Sequence, residues 1–354
     1  MNMEIFDEIF EKVSPKRDVP LNVTPPNAVV LMYNRVPKCG SLSMKLRLQG
    51  LGEKNNFSFN QSPVLPHRQP PSKQVLKVKE LLAKTTHTHH FWNAHRYYFD
   101  AVGNYGGKVV WMNMIRDPVE RFISEFYWLR NGLGKAYLKN AVRGKGGNNH
   151  DVNEAPRLEL NECAAAGHPL CTWTVWPPGE LQLSYVCGMN ESCTERGNRW
   201  ALQQAKYNMD RYYGVVGLLE ELPLSLAVFE AYIPRFFKDC NQIKADEIVS
   251  HVQSSSDKPK VTNATKAILK NNLKEDYEFY DYVRQRLHRQ AANAGITLSN
   301  EIKSHVQTEK QKKYVTNATK EFLRNNLKED YEFYTYAQQR LHLQAGAAGI
   351  EAIQ

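Results

Sequence analysis

The segment Val36-Pro37-Lys38-Cys39-Gly40-Ser41 joins an apolar run to a helical one, and its residue types suit an anion. A turn from a buried strand into a helix aims several backbone N–H groups and a helix N-terminus at one point. Lys38 adds a mobile full charge, and Ser41 and Ser43 add hydroxyls. The order Gly-x4-Gly-Lys-Ser/Thr is absent, because Lys38 precedes Gly40, so this is not the common nucleoside triphosphate loop. An ordinary turn with a surface Lys has the same residues, and a second feature argues against that bland reading. Arg116 closes another apolar run, and Ser124 follows eight residues later, about two helical turns on. In open α/β sheets ligands bind beyond the carboxyl ends of the strands. Arg116 and Ser124 therefore offer a second anion site at a fixed distance from the Lys38 turn. Two such sites on one sheet suit a nucleotide phosphorylated at both its 5′ and 3′ positions.

Other chemistry-bearing residues are less specific by themselves. The run Thr86-His87-Thr88-His89-His90 reads as a solvated segment or an adventitious metal binder, and His95 carries no signal of its own. Arg35 at a strand end is equally an ion-pair partner or a ligand contact. Lys135, Lys139, Arg143 and Lys145 stud a Gly-rich stretch and suit sulfates and carboxylates of a polyanion. Trp173, Trp176, Tyr207, Tyr212 and Tyr213 could stack on sugar rings, although packing is the commoner role of such aromatics.

Cysteines divide into a cluster and two singletons, Cys39 and Cys240. Cys163 and Cys171 are eight apart, and Cys187 and Cys193 six apart, wider than the usual zinc-ligand pairs. Two small disulfide-closed loops fit better and imply an oxidising compartment. Asn-x-Ser/Thr sequons at Asn22, Asn56, Asn190, Asn263 and Asn317 agree, with Asn60 weakened by the Pro after its Ser.

The elements that must position these residues follow from the pattern. Ala28–Arg35 and Lys108–Ile115 are compact apolar runs suited to buried strands, and Tyr213–Leu218 is a third. Leu42–Leu51, Val75–Ala83, Pro118–Arg130, Trp200–Asp210 and Leu222–Phe237 read as helices. Residues 53–75, rich in Asn, Pro and Ser, read as loop, as does the stretch 132–160. Strand–turn–helix units of this kind predict an α/β domain with a parallel sheet.

Composition bounds the rest. The chain has 354 residues, enough for one large domain or two ordinary ones, and 46 Lys+Arg against 37 Asp+Glu give a net +9. That surplus favours a polyanion without choosing among nucleic acid, acidic polysaccharide and anionic lipid. No run approaches the ~18 apolar residues of a spanning helix, and the acidic, interrupted start does not read as a signal peptide. Residues 1–25 read as a stub or linker, 26–296 as the domain, and 297–354 as a duplicated helical segment. Glu247–Ile296 and Glu301–Ile350 align without gaps at an offset of 54, with 34 of 50 positions identical. Two copies do not make a solenoid, so one copy is expected to complete the domain.

Taken together, Tyr-Asn-Arg-Val-Pro-Lys-Cys-Gly-Ser (33–41), Ile-Arg-Asp-Pro-Val-Glu-Arg-Phe-Ile-Ser (115–124) and the cysteine spacing resemble the uronic-acid 2-O-sulfotransferases, a family acting on heparan sulfate and related uronyl polymers. Asn161-Glu162-Cys163, Trp200-Ala201, Ala205-Lys206-Tyr207-Asn208, Glu220-Glu221-Leu222, Pro234-Arg235-Phe236-Phe237 and Tyr277-Glu278-Phe279-Tyr280 extend the likeness over about residues 28–296. The Lys-Cys-Gly-Ser turn is nearer the uronyl branch.

The resemblance implies a P-loop-like sulfotransferase fold, with a central parallel sheet flanked by helices. It implies transfer of sulfate from 3′-phosphoadenosine 5′-phosphosulfate to the 2-hydroxyl of a uronic acid in a glycosaminoglycan, without a metal. Lys38 and the amides of Cys39, Gly40, Ser41, Leu42 and Ser43 would hold the 5′-phosphosulfate, and Arg116 and Ser124 the 3′-phosphate. His95, 21 residues before Arg116, matches the family's base; Arg35, Arg143 and Lys145 would touch the acceptor. One departure is Asn93, where the heparan sulfate branch has a second His. Glycosylation at Asn190 and Asn263 and residence in the Golgi lumen are also implied. The family's type II membrane anchor has no counterpart in the hydropathy of this chain. No nucleic acid partner is implied, and a homo-oligomer is left open. The rival readings are a nucleotide phosphotransferase and a non-catalytic, lectin-like polyanion binder.

Overall fold

The computed structural model describes residues 29–61, 89–100, 109–130, 135, 138–139, 153–172, 181–240 and 259–296. Strands β1 (Val30–Asn34), β2 (Phe57–Gln61), β3 (His89–Ala94), β4 (Val109–Ile115) and β5 (Tyr213–Leu218) form one parallel sheet in the order β2-β3-β1-β4-β5. β1, β4 and β5 are buried along their whole length. This is why they read as near-continuous apolar runs, since a parallel sheet is covered on both faces. Each fully buried Val, Leu or Met side chain contributes about 1.5–3 kcal/mol.

The covering helices are α1 (Ser41–Lys54), α2 (Pro118–Trp128), α3 (Leu160–Ala165), α4 (Pro169–Thr172), α5 (Gln182–Cys187), α6 (Arg199–Tyr212), α7 (Leu222–Tyr232), α8 (Pro234–Phe237), α9 (Asn263–Asn272) and α10 (Lys274–Asn293). α2 starts cleanly: the Asp117 side chain accepts from Glu120 N–H, and Pro118 occupies the first turn. α7 packs directly on β5 because Gly217 has no side chain. A Cβ there would lie 2.6 Å from Met114 Sδ and 2.8 Å from Ser225 Cβ.

Three features differ from the sequence reading. Phe57–Gln61, within the stretch read as loop, is the edge strand β2. Its alternating Phe57 and Phe59 pack on Phe91 despite the polar residues around them. Two residues of the histidine run are not solvated loop: His89 and His90 open β3, His90 is buried, and Ser58 Oγ bonds its Nδ1, while Thr86–Thr88 lie outside the described residues. The helix read over Leu222–Phe237 breaks at Ile233, where the following Pro234 disfavours helical geometry. The expected helix at Val75–Ala83 lies outside the described residues.

Disulfides join Cys163 to Cys171 and Cys187 to Cys193, the small loops anticipated from the spacing. Loops of this size contribute about 2–3 kcal/mol each in the chain-entropy view. Cys39 and Cys240 are free and buried.

The first copy of the duplicated segment, α9 and α10, is built into this core. Arg286 donates to Tyr213 O at 2.7 Å and Gln290 to Gly214 O at 2.7 Å, beside buried Phe279, Val283 and Leu287. The second copy lies outside the described residues.

Candidate active site

The sheet has a switch point at its centre. From β1 the chain runs toward β3, and from β4 it runs the other way to β5, so the turns after β1 and β4 part from each other at the carboxyl edge. A crevice opens at such a place, and it is here that the sequence-nominated residues fall.

After β1 come Arg35 and the Lys38 turn. Lys38 and Gly40 both have positive φ, 65° and 69°. For Lys this left-handed conformation costs about 1–2 kcal/mol, a strain retained at the turn itself. Gly40 suits its positive φ, and a Cβ there would lie 2.6 Å from Leu219 Cδ1, a terminal methyl that would have to turn aside. α1 then begins without a side-chain cap and without an acid in its first turn. The N–H groups of Ser41, Leu42 and Ser43 therefore have no intrahelical acceptor and face the turn as donors. The Lys38 Nζ sits 5.5 Å from the centre of the half-exposed Trp128 ring on α2.

After β4 comes Arg116. Its Nη1 donates to Lys38 O at 3.4 Å, which joins the two turns directly, and its Nε is 4.0 Å from Glu220 Oε1. Ser124 lies in the second turn of α2 and is almost fully buried. Below them, Arg121 and Glu125 form a buried ion pair at 2.8 Å on the same helix. Burial pushes the Glu125 carboxyl up from its ordinary pKa, with Arg121 opposing.

After β3 comes His95. Its Nδ1 lies 2.9 Å from Arg35 O. A carbonyl only accepts, so Nδ1 carries the proton and the neutral ring presents Nε2 as a base. Arg35 N–H in turn donates to Ala94 O at 2.8 Å, continuing the β1–β3 ladder by one residue. The Arg35 side chain is 7% exposed, and its buried Nε has no hydrogen-bond partner. Among the described residues no carboxylate pairs with it. A buried guanidinium without a counter-charge is costly, and a bound anion would remove that cost. The structural ion pair that Arg35 could equally have made is absent among the described residues.

Several residues that hold this edge in place have no motif. Asn34 and Asn113 are fully buried on β1 and β4; Asn113 Nδ2 donates to Asn34 O at 2.8 Å and Oδ1 at 3.0 Å. Tyr213 OH donates to the same Asn34 Oδ1 at 3.1 Å, so Tyr213 is a core residue and does not face a sugar. Tyr277 OH donates to both Asp117 oxygens at 3.1 and 3.0 Å, and Tyr280 OH to Glu220 Oε2 at 3.1 Å. The Tyr-Glu-Phe-Tyr stretch thereby braces the Arg116 turn from α10. Burial raises the pKa of Glu220 and of fully buried Asp276.

Arg143, Lys145, Trp173, Trp176 and His87 lie outside the described residues. Asn190 is exposed and caps the turn Glu191–Thr194 through its side chain, and Asn263 is exposed at the start of α9. Among the described residues no three His, Cys, Asp or Glu side chains are grouped as metal ligands, and no helix is long and apolar enough to cross a membrane.

A parallel α/β sheet that gathers a Lys turn, an Arg and an oriented imidazole at its switch point suits a group-transfer enzyme. The chain belongs to the sulfotransferase family, whose profile matches residues 21–283, and it is a sulfotransferase. It is 31% identical over 290 residues to heparan sulfate 2-O-sulfotransferase 1 of Gallus gallus, covering 79% of this chain and 76% of that protein. It is 30% identical over 286 residues to uronyl 2-sulfotransferase of Mus musculus, covering 77% and 67%. To uronyl 2-sulfotransferase of Homo sapiens it is 30% identical over 296 residues, covering 80% and 68%.

Proposed function

We propose that this enzyme transfers the sulfuryl group of 3′-phosphoadenosine 5′-phosphosulfate to the 2-hydroxyl of a uronic acid in heparan sulfate or dermatan/chondroitin sulfate. The observation that carries this reading is the meeting of Arg35, Lys38, His95 and Arg116 at one edge of the sheet, with the buried Arg35 Nε unpartnered and no carboxylate paired with Arg35 among the described residues. The residues fit the donor. The uncapped start of α1 and Lys38 suit the 5′-phosphosulfate, and Arg116 with Ser124 suits the 3′-phosphate.

In this reading His95 Nε2 takes the proton of the acceptor hydroxyl as its oxygen bonds to sulfur. The bond between sulfur and the donor's bridging phosphate oxygen breaks, and Lys38 offsets the charge left on that oxygen. Arg35 holds an acidic group of the acceptor, and Arg143 and Lys145 extend the basic track. The two disulfides and the exposed sequons at Asn190 and Asn263 support a secretory-pathway site, which we assign to the Golgi lumen.

The test is a sulfate-transfer assay on desulfated heparan and dermatan acceptors with the parent, Lys38→Ala and His95→Ala. Transfer to C2 of a uronic acid by the parent alone is the expected result. A parent that is stabilised by 3′-phosphoadenosine 5′-phosphate yet transfers nothing would mean a polyanion-binding protein instead.

A further inference from the structure

Gln182, at the start of α5, has no part in any motif, yet its side chain is fully buried between the two anion-binding turns. Oε1 accepts from Arg116 N–H at 2.9 Å and from the Cys39 thiol at 3.2 Å. Nε2 donates to Arg116 O at 2.7 Å. An amide side chain offers two acceptor positions and two donor protons, and here both acceptor positions and one donor proton are in use.

The place of these bonds gives them meaning. The β4–β5 ladder ends where Leu219 N–H donates to Ile115 O at 2.9 Å. Arg116, the next residue, has lost its sheet partners just where its side chain must be aimed. Gln182 takes both of its backbone groups, as a neighbouring strand would. The same oxygen holds Cys39, which sits between the left-handed Lys38 and Gly40. Cys39 is suited to the task, because burial pushes its thiol pKa up and keeps it a neutral S–H donor.

We propose that Gln182 is a positioning residue that fixes the separation between the Lys38 turn and Arg116, and so matches the site to a nucleotide carrying two phosphates a set distance apart. This rests on the donor assignment made above. Gln182 touches neither phosphate in this scheme; it acts through the backbone of Arg116 and the side chain of Cys39. Two anchors at a fixed spacing bind a two-headed ligand far more tightly than either head alone, and misplacing one anchor removes that advantage while leaving each head's own contacts intact.

The experiment is calorimetric titration of the full chain with 3′-phosphoadenosine 5′-phosphate, adenosine 5′-phosphate and adenosine 3′-phosphate. The parent is compared with Gln182→Met, which keeps the length and apolar volume but none of the bonds. Expected is a loss of roughly 10–100-fold for the bisphosphate, with each monophosphate held within about 2-fold. Equal weakening of all three ligands, or no weakening of any, overturns the proposal, since a purely structural residue acts only on the folded fraction. Gln182→Asn, which keeps the amide but withdraws it by one methylene, carries the same titrations if Gln182→Met does not fold. Failure of both to fold also overturns it. A parent that binds the bisphosphate no better than the monophosphates removes the donor assignment instead, and the proposal with it.

Discussion

The imidazole of His95 is anchored by Nδ1 to the carbonyl oxygen of Arg35, 2.9 Å away, across the ends of two neighbouring parallel strands. One backbone oxygen thus selects the tautomer of the base, and the same residue carries the buried guanidinium proposed as the acceptor anchor. The proposed base and the proposed acceptor anchor cannot be displaced independently. Replacing His95 with Ala should lower kcat by about 10²–10⁴-fold. Binding of 3′-phosphoadenosine 5′-phosphate, measured by the rise in Tm it causes, should be unchanged. A drop in donor-product binding equal to the drop in rate would refute the assignment of His95 as base.

Arg35→Ala separates the two roles of this residue. The backbone carbonyl that orients His95 remains, so kcat at saturating acceptor should stay within about 10-fold, whereas the acceptor KM should rise by about 10–100-fold. That range corresponds to roughly 1.5–3 kcal/mol for a charge-assisted bond. Since the buried Nε of Arg35 has no hydrogen-bond partner and no carboxylate pairs with it among the described residues, the variant should be no less stable than the parent by thermal melting. A fall in Tm beyond a few degrees would mean that Arg35 is structural.

The parts of the fold legible in the sequence are those where burial on both faces leaves an unbroken apolar run. Val30–Asn34 and Val109–Ile115 are of this kind, and the residues just beyond them, Lys38 and Arg116, are indeed brought into contact. β2 and β3 were hidden for a physical reason. Asn-Phe-Ser-Phe-Asn has only two apolar residues, and the polarity of His90 is absorbed by a cross-strand hydroxyl, Ser58, that lies far off in sequence. Gln182 and Asp276 were hidden more thoroughly. Each is a single polar residue whose partners are 66 or 93 positions away, so no local spacing announces it. The side chain that closes over Gly40 is Leu219, again a long-range neighbour.

Deleting residues 301–354 should leave both Tm and the rate of transfer unchanged. The bonds from Arg286 to Tyr213, from Gln290 to Gly214 and from Tyr277 to Asp117 all belong to the first copy. The second copy repeats Tyr331, Arg340 and Gln344 at the matching positions, so the complementary deletion of 247–300 provides the control. A truncated chain that fails to fold, beside a control that folds and transfers sulfate, would assign the second copy to the domain.

Asp276 gives a prediction with a defined sign. Its carboxyl is fully buried; burial raises its pKa, opposed by the nearby Arg121 charge and by hydrogen bonds from Leu183 and Gln182. A carboxyl that holds its proton more tightly folded than unfolded favours folding below the ordinary carboxylate range. That advantage is lost as pH rises through the raised value. Asn has no proton to lose and still offers an oxygen to Leu183 N–H, which donates to Asp276 Oδ1 at 3.1 Å. Asp276→Asn should therefore match the parent near pH 4 and become progressively more stable than it toward neutral pH. Its Tm should accordingly exceed the parent's by an amount that grows as pH rises. Glu125 and Glu220 titrate in the same direction, but they are common to both proteins and cancel in the difference. Thermal melts of the two proteins from about pH 4 to pH 8 make the measurement. A Tm difference that is constant over that span, or that shrinks as pH rises, would show that Arg121 and Gln182 hold the carboxylate charged, contrary to the direction argued here.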